Sequence, residues 1–62
     1  MELKDRIIKE IKEDKNDYFC YGYFHKSNMA DYTTMRYTIQ DLVDVYDINE
    51  FEAVDIVTAL IH

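Results

Sequence analysis

The chain has 62 residues, 48% of them hydrophobic, with six tyrosines, three phenylalanines, one glycine, no proline and a formal charge of −6. That length holds a single domain, residues 1–62, near the size at which one core only just offsets chain entropy. The apolar content argues against disorder, the acidity against attraction to nucleic acid or anionic membranes, and the lone Cys20 against an internal disulfide.

The opening residues, MELKDRIIKEIK, alternate charged and apolar groups, unlike the continuous apolar core of a signal peptide. No run is long enough to cross a bilayer. With the unpaired cysteine, this gives the expectation of a complete, short, cytoplasmic gene product. Residues 2–14 are expected to form an amphipathic helix. Leu3, Ile7, Ile8 and Ile11 share one face, and Glu2/Arg6 and Asp5/Lys9 form acid-first i,i+4 pairs on the other. Lys15, Asn16 and Asp17 are expected to stop it.

Residues 18–25, YFCYGYFH, read as an aromatic strand, with Tyr18, Cys20, Gly22 and Phe24 on one face and Phe19, Tyr21, Tyr23 and His25 on the other. Gly22 suggests a bulge. Lys26 to Asp31 is a polar turn, and Tyr32 to Thr38 could return antiparallel to close a hairpin. A competing pattern exists. Tyr32, Met35, Ile39, Leu42, Val43 and Tyr46 also fit one helical stripe, which would make Asp31 to Tyr46 a single helix. The hairpin is preferred because Thr33, Thr34 and Thr38 are poor helix formers and Thr38 suits a cap.

Two capping-box patterns, Thr38–Asp41 and Asn49–Glu52, open the last two helices. The first is expected to bury Ile39, Leu42, Val43 and Tyr46. The second presents Ala53, Val54, Ile56, Val57, Leu60 and Ile61 over an arc wider than one packed stripe needs, so part of it should face a partner or a second copy. The fold class that follows is α+β: an N-terminal helix, a β-hairpin, then a helix pair, with an all-α small bundle as the alternative.

The pattern Thr-Ile-x-Asp-Leu-Val-x-x-Tyr-Asp-Ile-Asn-x-x-x-Ala-Val at 38–54 resembles the helix-turn-helix of bacterial and phage regulators. The matching features are the Thr38 cap, Leu42 and Val43, Ile48 in the turn, the Asn49 cap and Ala53. Two departures reverse its chemistry. Asp47 stands where that motif usually has glycine, and Glu50, Glu52 and Asp55 stand where a DNA reader needs basic or amide side chains. Carboxylates are repelled by phosphates, so the resemblance implies a scaffold that does not bind DNA directly.

The charge is strongly localised. Residues 1–37 hold seven acids and seven bases, whereas 38–62 hold Asp41, Asp44, Asp47, Glu50, Glu52 and Asp55 with no Lys or Arg. Capping and the helix dipole account for Asp41, Glu50 and Glu52, leaving Asp44, Asp47 and Asp55 without a local purpose. Acids at i,i+3, such as Asp41/Asp44 and Glu52/Asp55, lie about 5–6 Å apart on a helix, close to the spacing of phosphates on a strand. Asp47 and Glu50 could bridge the two pairs. In size and charge the chain resembles small acidic proteins of phages and mobile elements, including anti-CRISPR and anti-restriction proteins. What this implies is a non-enzymatic inhibitor covering a basic nucleic-acid-handling protein, such as a nuclease, polymerase or regulator, in a host cytoplasm. Tyr18, Tyr21, Tyr23 and Phe51 are the candidate contact aromatics, with Phe19, Phe24, Tyr37 and Tyr46 assigned to the core. The rival expectation is a structural or regulatory module whose broad apolar helix 50–61 and aromatic strand make a homodimer or heteromer, with assembly broken by changes at Phe51 or Val54.

No catalytic or cofactor motif stands out. Cys20, His25 and His62 are too few and too far apart in sequence for a closed zinc site. The aromatic neighbours of Cys20 suggest a buried, inert thiol, and Ser27 has no evident triad. Neither a metal nor a cofactor is expected.

Overall fold

The computed structural model describes residues 2–62 and contains, among them, helices and no strand. Helix α1 spans Leu3–Lys12, a 3-10 turn Tyr21–Phe24, the single-turn α2 Lys26–Met29, α3 Tyr32–Tyr46 and α4 Glu50–Leu60. The α+β expectation is overturned, and the all-α alternative is what the chain adopts. No helix among the described residues is long and apolar enough to cross a membrane.

Helix α1 buries Ile7 and Ile11 completely, with Ile8 half-buried beside them and Leu3 largely exposed. It ends earlier than expected. Asp14 adopts a left-handed conformation (φ 54°), and two backbone bonds close the end: Lys15 N–H to Glu10 C=O (2.8 Å) and Asp14 N–H to Ile11 C=O (3.1 Å). That pair of bonds is the Schellman arrangement, with aspartate at the position glycine usually fills.

The segment read as a strand is a loop and a 3-10 turn. Cys20 C=O accepts from Tyr23 N–H and Gly22 C=O from His25 N–H, each at 3.2 Å, and this coil drops Phe24 into the centre of the core with no exposed surface. Alternation would have needed cover on both faces of a strand. The coil buries one ring fully and leaves the tyrosines at the periphery.

The second predicted strand is the first half of α3. Asp31 caps that helix, its Oδ1 accepting from Thr33 N–H (2.9 Å) and Thr34 N–H (3.2 Å). Thr38 is therefore mid-helix and is no cap. It is fully buried, with its hydroxyl donating to Thr34 C=O (2.8 Å) and its oxygen 3.3 Å from the Tyr23 hydroxyl. Such back-bonding satisfies a buried threonine inside a helix, which removes the main objection to the long-helix pattern. Met35, Ile39, Leu42 and Tyr46 of that stripe face inward, while Tyr32 lies outside it, exposed.

Helix α4 begins as expected, with Asn49 Oδ1 accepting from Glu52 N–H (2.8 Å). Its Ala53, Ile56, Val57 and Leu60 are buried against α3 on one side and α1 on the other. Val54 and Ile61 remain substantially exposed. The turn between α3 and α4 holds Asp47 at φ 53° and seats Ile48 in the core. Because a Cβ is disfavoured there, Asp47→Gly is expected to stabilise the fold by about 0.5 kcal/mol, raising the melting midpoint by roughly 2–4 °C. Asp14→Gly should gain less, since Asp14 Oδ1 also accepts from Tyr21 N–H (3.3 Å). Thermal melts of the two variants check this order.

Candidate protein-binding surface

The six C-terminal acids are exposed except for Glu52, which is half-buried. They do not form one unopposed face. Arg36 Nη1 reaches Glu50 Oε1 at 2.7 Å, and Lys4 Nζ lies 3.5 Å from Asp55 Oδ2. The Glu50 carboxylate, through this hydrogen bond and then its charge, raises the Arg36 pKa further above its already basic range. Asp44 Oδ1 accepts from Gln40 Nε2 (2.9 Å), and Asp47 occupies the left-handed turn position. Each acid that lacked a local purpose in the sequence thus has a structural one. Of those three, only Asp55 depends on a base far away in sequence, Lys4. Among the described residues no base pairs with Asp41, Asp44, Asp47 or Glu52. Asp41 is also not the partner of a capping box, being an exposed residue in the middle of α3.

These acids divide between two sides of the molecule. Arg36 and Asp41 project about 140° apart around α3. The Arg36 flank meets α4 at Glu50, and the Asp41 flank meets the aromatic loop. Phe51 lies on the α4 side, 82% exposed. Tyr18 and Tyr23 lie on the other side, where with Phe19, Cys20 and Asp41 they line an open groove of about 280 Å³. Tyr37, one helical turn before Asp41, shares that flank and is 67% exposed, so it is not the core residue expected.

The groove is built by Asn16. Its Oδ1 accepts from the backbone N–H groups of Tyr18 and Phe19, each at 2.9 Å. Its Nδ2 donates to Glu10 Oε1 (3.3 Å) and to the Tyr46 hydroxyl. Tyr46 in turn carries the Tyr18 ring edge-on (centroids 6.3 Å) and stacks with Phe19 (6.4 Å). Tyr23 packs edge-on to Phe24 (5.8 Å), and its hydroxyl meets Thr38. In the sequence Asn16 stands out only as part of a helix stop. An Asx pattern just before two aromatics was the available signal.

Tyr21 departs from the expected contact set. It is half-buried, and its ring lies against His62 at 4.0 Å between centroids. His62 also sits 5.5 Å from the His25 ring and accepts from Lys26 N–H through its backbone C=O (2.8 Å). The two histidines, distant in sequence, are therefore neighbours. His25 Nδ1 accepts from Ser27 N–H (3.1 Å) to cap α2 and lies 2.8 Å from Ser27 Oγ. No group of three or more His, Cys, Asp or Glu suited to a metal occurs among the described residues. Cys20 is exposed on the groove wall, contrary to the buried thiol expected.

Comparison with protein-family models, with curated proteins and with solved structures gives no match to this chain.

Proposed function

We propose that this chain is a non-enzymatic, acidic protein-binding module that docks on a basic surface of a nucleic-acid-handling protein, in the manner of a phage or mobile-element inhibitor acting in a host cytoplasm. The observation that carries this reading is the Asp41 flank of α3. There Asp41 and Asp44 have no basic partner among the described residues, within a chain of net charge −6, beside the exposed rings of Tyr18 and Tyr37. Unpaired carboxylates steer a basic partner into place, and tyrosines supply contact area with a polar tip. Nucleic acid itself would be repelled.

The test is capture from a bacterial lysate by the wild-type chain and by Asp41→Asn/Asp44→Asn in parallel. A basic nucleic-acid-binding protein should be retained by the wild type, released by rising salt, and displaced from its DNA or RNA by the free chain. Losing two charges at the contact is expected to weaken binding about tenfold or more at low salt, with the difference shrinking as salt rises. Equal retention by the double variant would overturn the reading.

The second reading, apolar assembly, has one observation in its favour: Phe51 stands almost wholly in solvent on α4, one turn from the exposed Val54. It predicts a salt-resistant dimer or heteromer lost in Phe51→Ser, visible by sedimentation.

A further inference from the structure

The geometry points to the groove at Tyr18, Phe19, Cys20, Tyr23 and Asp41 as a binding site for one arginine side chain of a basic protein partner. This inference rests on the docking reading above and specifies its point of attachment.

Three features select the guest. The walls are aromatic, and they are fixed before anything binds: Asn16 holds the backbone at Tyr18 and Phe19, Tyr46 supports both rings, and Thr38 meets the Tyr23 hydroxyl. Aromatic faces attract cations, and preorganised ones do so without an ordering cost. The rim carries a carboxylate, Asp41, that no base among the described residues neutralises. The paired bases there are turned elsewhere, Lys4 to Asp55, Arg6 to Glu10, Lys15 to Glu13 and Arg36 to Glu50. The volume, about 280 Å³, falls just below the range of roughly 300–1,000 Å³ typical of drug-sized ligands and suits a single side chain.

Arginine fits this set better than lysine. Its guanidinium is planar, so it can stack on a tyrosine ring while presenting two parallel N–H groups to one carboxylate. Lysine offers a hydrated point charge that Asp41 attracts but the rings hold less well. An apolar guest would leave Asp41 unused.

The test titrates the ¹⁵N-labelled full chain with three blocked tripeptides, Gly-Arg-Gly, Gly-Lys-Gly and Gly-Gln-Gly. The arginine peptide is expected to shift the amides of residues 18–23 and Asp41, leaving Phe51 and Val54 unmoved, and to slow alkylation of the Cys20 thiol. It should bind about three- to fivefold more tightly than the lysine peptide, the ratio expected of an exposed cation–π contact. Asp41→Asn and, separately, Tyr18→Leu should each weaken it by a similar factor, whereas Asp44→Asn should not. Shifts spread over all the acids, with no preference for arginine and no special effect of Asp41→Asn, would overturn the site. Salt-sensitive capture of a basic protein would then still stand as evidence for docking. Arginine-specific shifts without any captured partner would support the groove and count against the inhibitor reading alone.

Discussion

Replacing Phe24 with alanine is expected to unfold the protein at 25 °C. Phe24 has no exposed surface and lies among Ile7, Ile11, Leu42, Ile56 and Leu60 in the hydrophobic core. Truncating a buried phenylalanine costs about 3–5 kcal/mol, through lost transfer free energy and the cavity left behind. A domain this small rarely has more than about 3–5 kcal/mol of net stability, and no disulfide constrains its unfolded state. Phe51→Ala deletes the same ring from a site 82% exposed and should change stability by less than about 0.5 kcal/mol. Far-UV circular dichroism and an amide correlation spectrum of the two variants make the comparison. A cooperative, folded Phe24→Ala protein would mean that the 3-10 turn does not anchor the core.

Phe24 also marks where local sequence patterns stop predicting this fold. The outer helices were legible because their signals are local. Ile7 and Ile11 repeat at i,i+4 in α1, and Asn49 caps the buried stripe of α4. In residues 18–38 local preference and tertiary context disagree. Tyr, Phe and Thr favour strands, yet a hairpin would have had two faces to cover in a chain of this length. Burying Phe24 from a turn and continuing α3 back to Tyr32 covers the core with fewer exposed apolar faces. The competing stripe through Met35, Ile39, Leu42 and Tyr46 did contain the answer, as did the Asp31 cap. Thr38 hid it, because a buried threonine bonded to the preceding turn looks in sequence just like a helix start.

The surface was half legible for a related reason. Composition located the acids, but their neutralisation runs between distant positions, Arg36 to Glu50 and Lys4 to Asp55, and neither pairing follows from spacing along one helix. The surplus of charge narrows to Asp41, Asp44, Asp47 and Glu52. Of these, Asp41 alone lines the aromatic groove. Tyr18 and Tyr23 are contact candidates by residue type, and the structure brings both to that groove. Tyr21, a candidate on the same grounds, is turned toward His62. Residue type nominates a contact, and the loop conformation decides whether it is presented.

That loop conformation depends on Asn16, and Asn16→Ala is expected to lower stability by about 2–3 kcal/mol, taking the melting midpoint down by roughly 10–20 °C. The amide makes four hydrogen bonds, to Tyr18 N–H, Phe19 N–H, Glu10 and the Tyr46 hydroxyl, and it joins the end of α1 to the end of α3. Each is worth about 0.5–1.5 kcal/mol net, and the half-buried setting lets water replace only some of them. Asn16→Asp separates the two functions of the group. Its carboxylate can still accept from Tyr18 and Phe19 and can accept from the Tyr46 O–H in place of donating to it, but it cannot donate to Glu10 and places a second negative charge beside that carboxylate. It should therefore keep the loop and the Tyr46 contact while losing the link to Glu10. Denaturant unfolding orders the three proteins, and the amide shifts of Tyr18 and Phe19 report the loop directly. Under conditions where Asn16→Ala remains folded, its affinity for the arginine peptide should fall although Asn16 does not line the groove, because Tyr18 and Phe19 are no longer held in place. A loss of less than about 0.5 kcal/mol would show instead that the aromatic packing around Tyr46 holds the loop unaided.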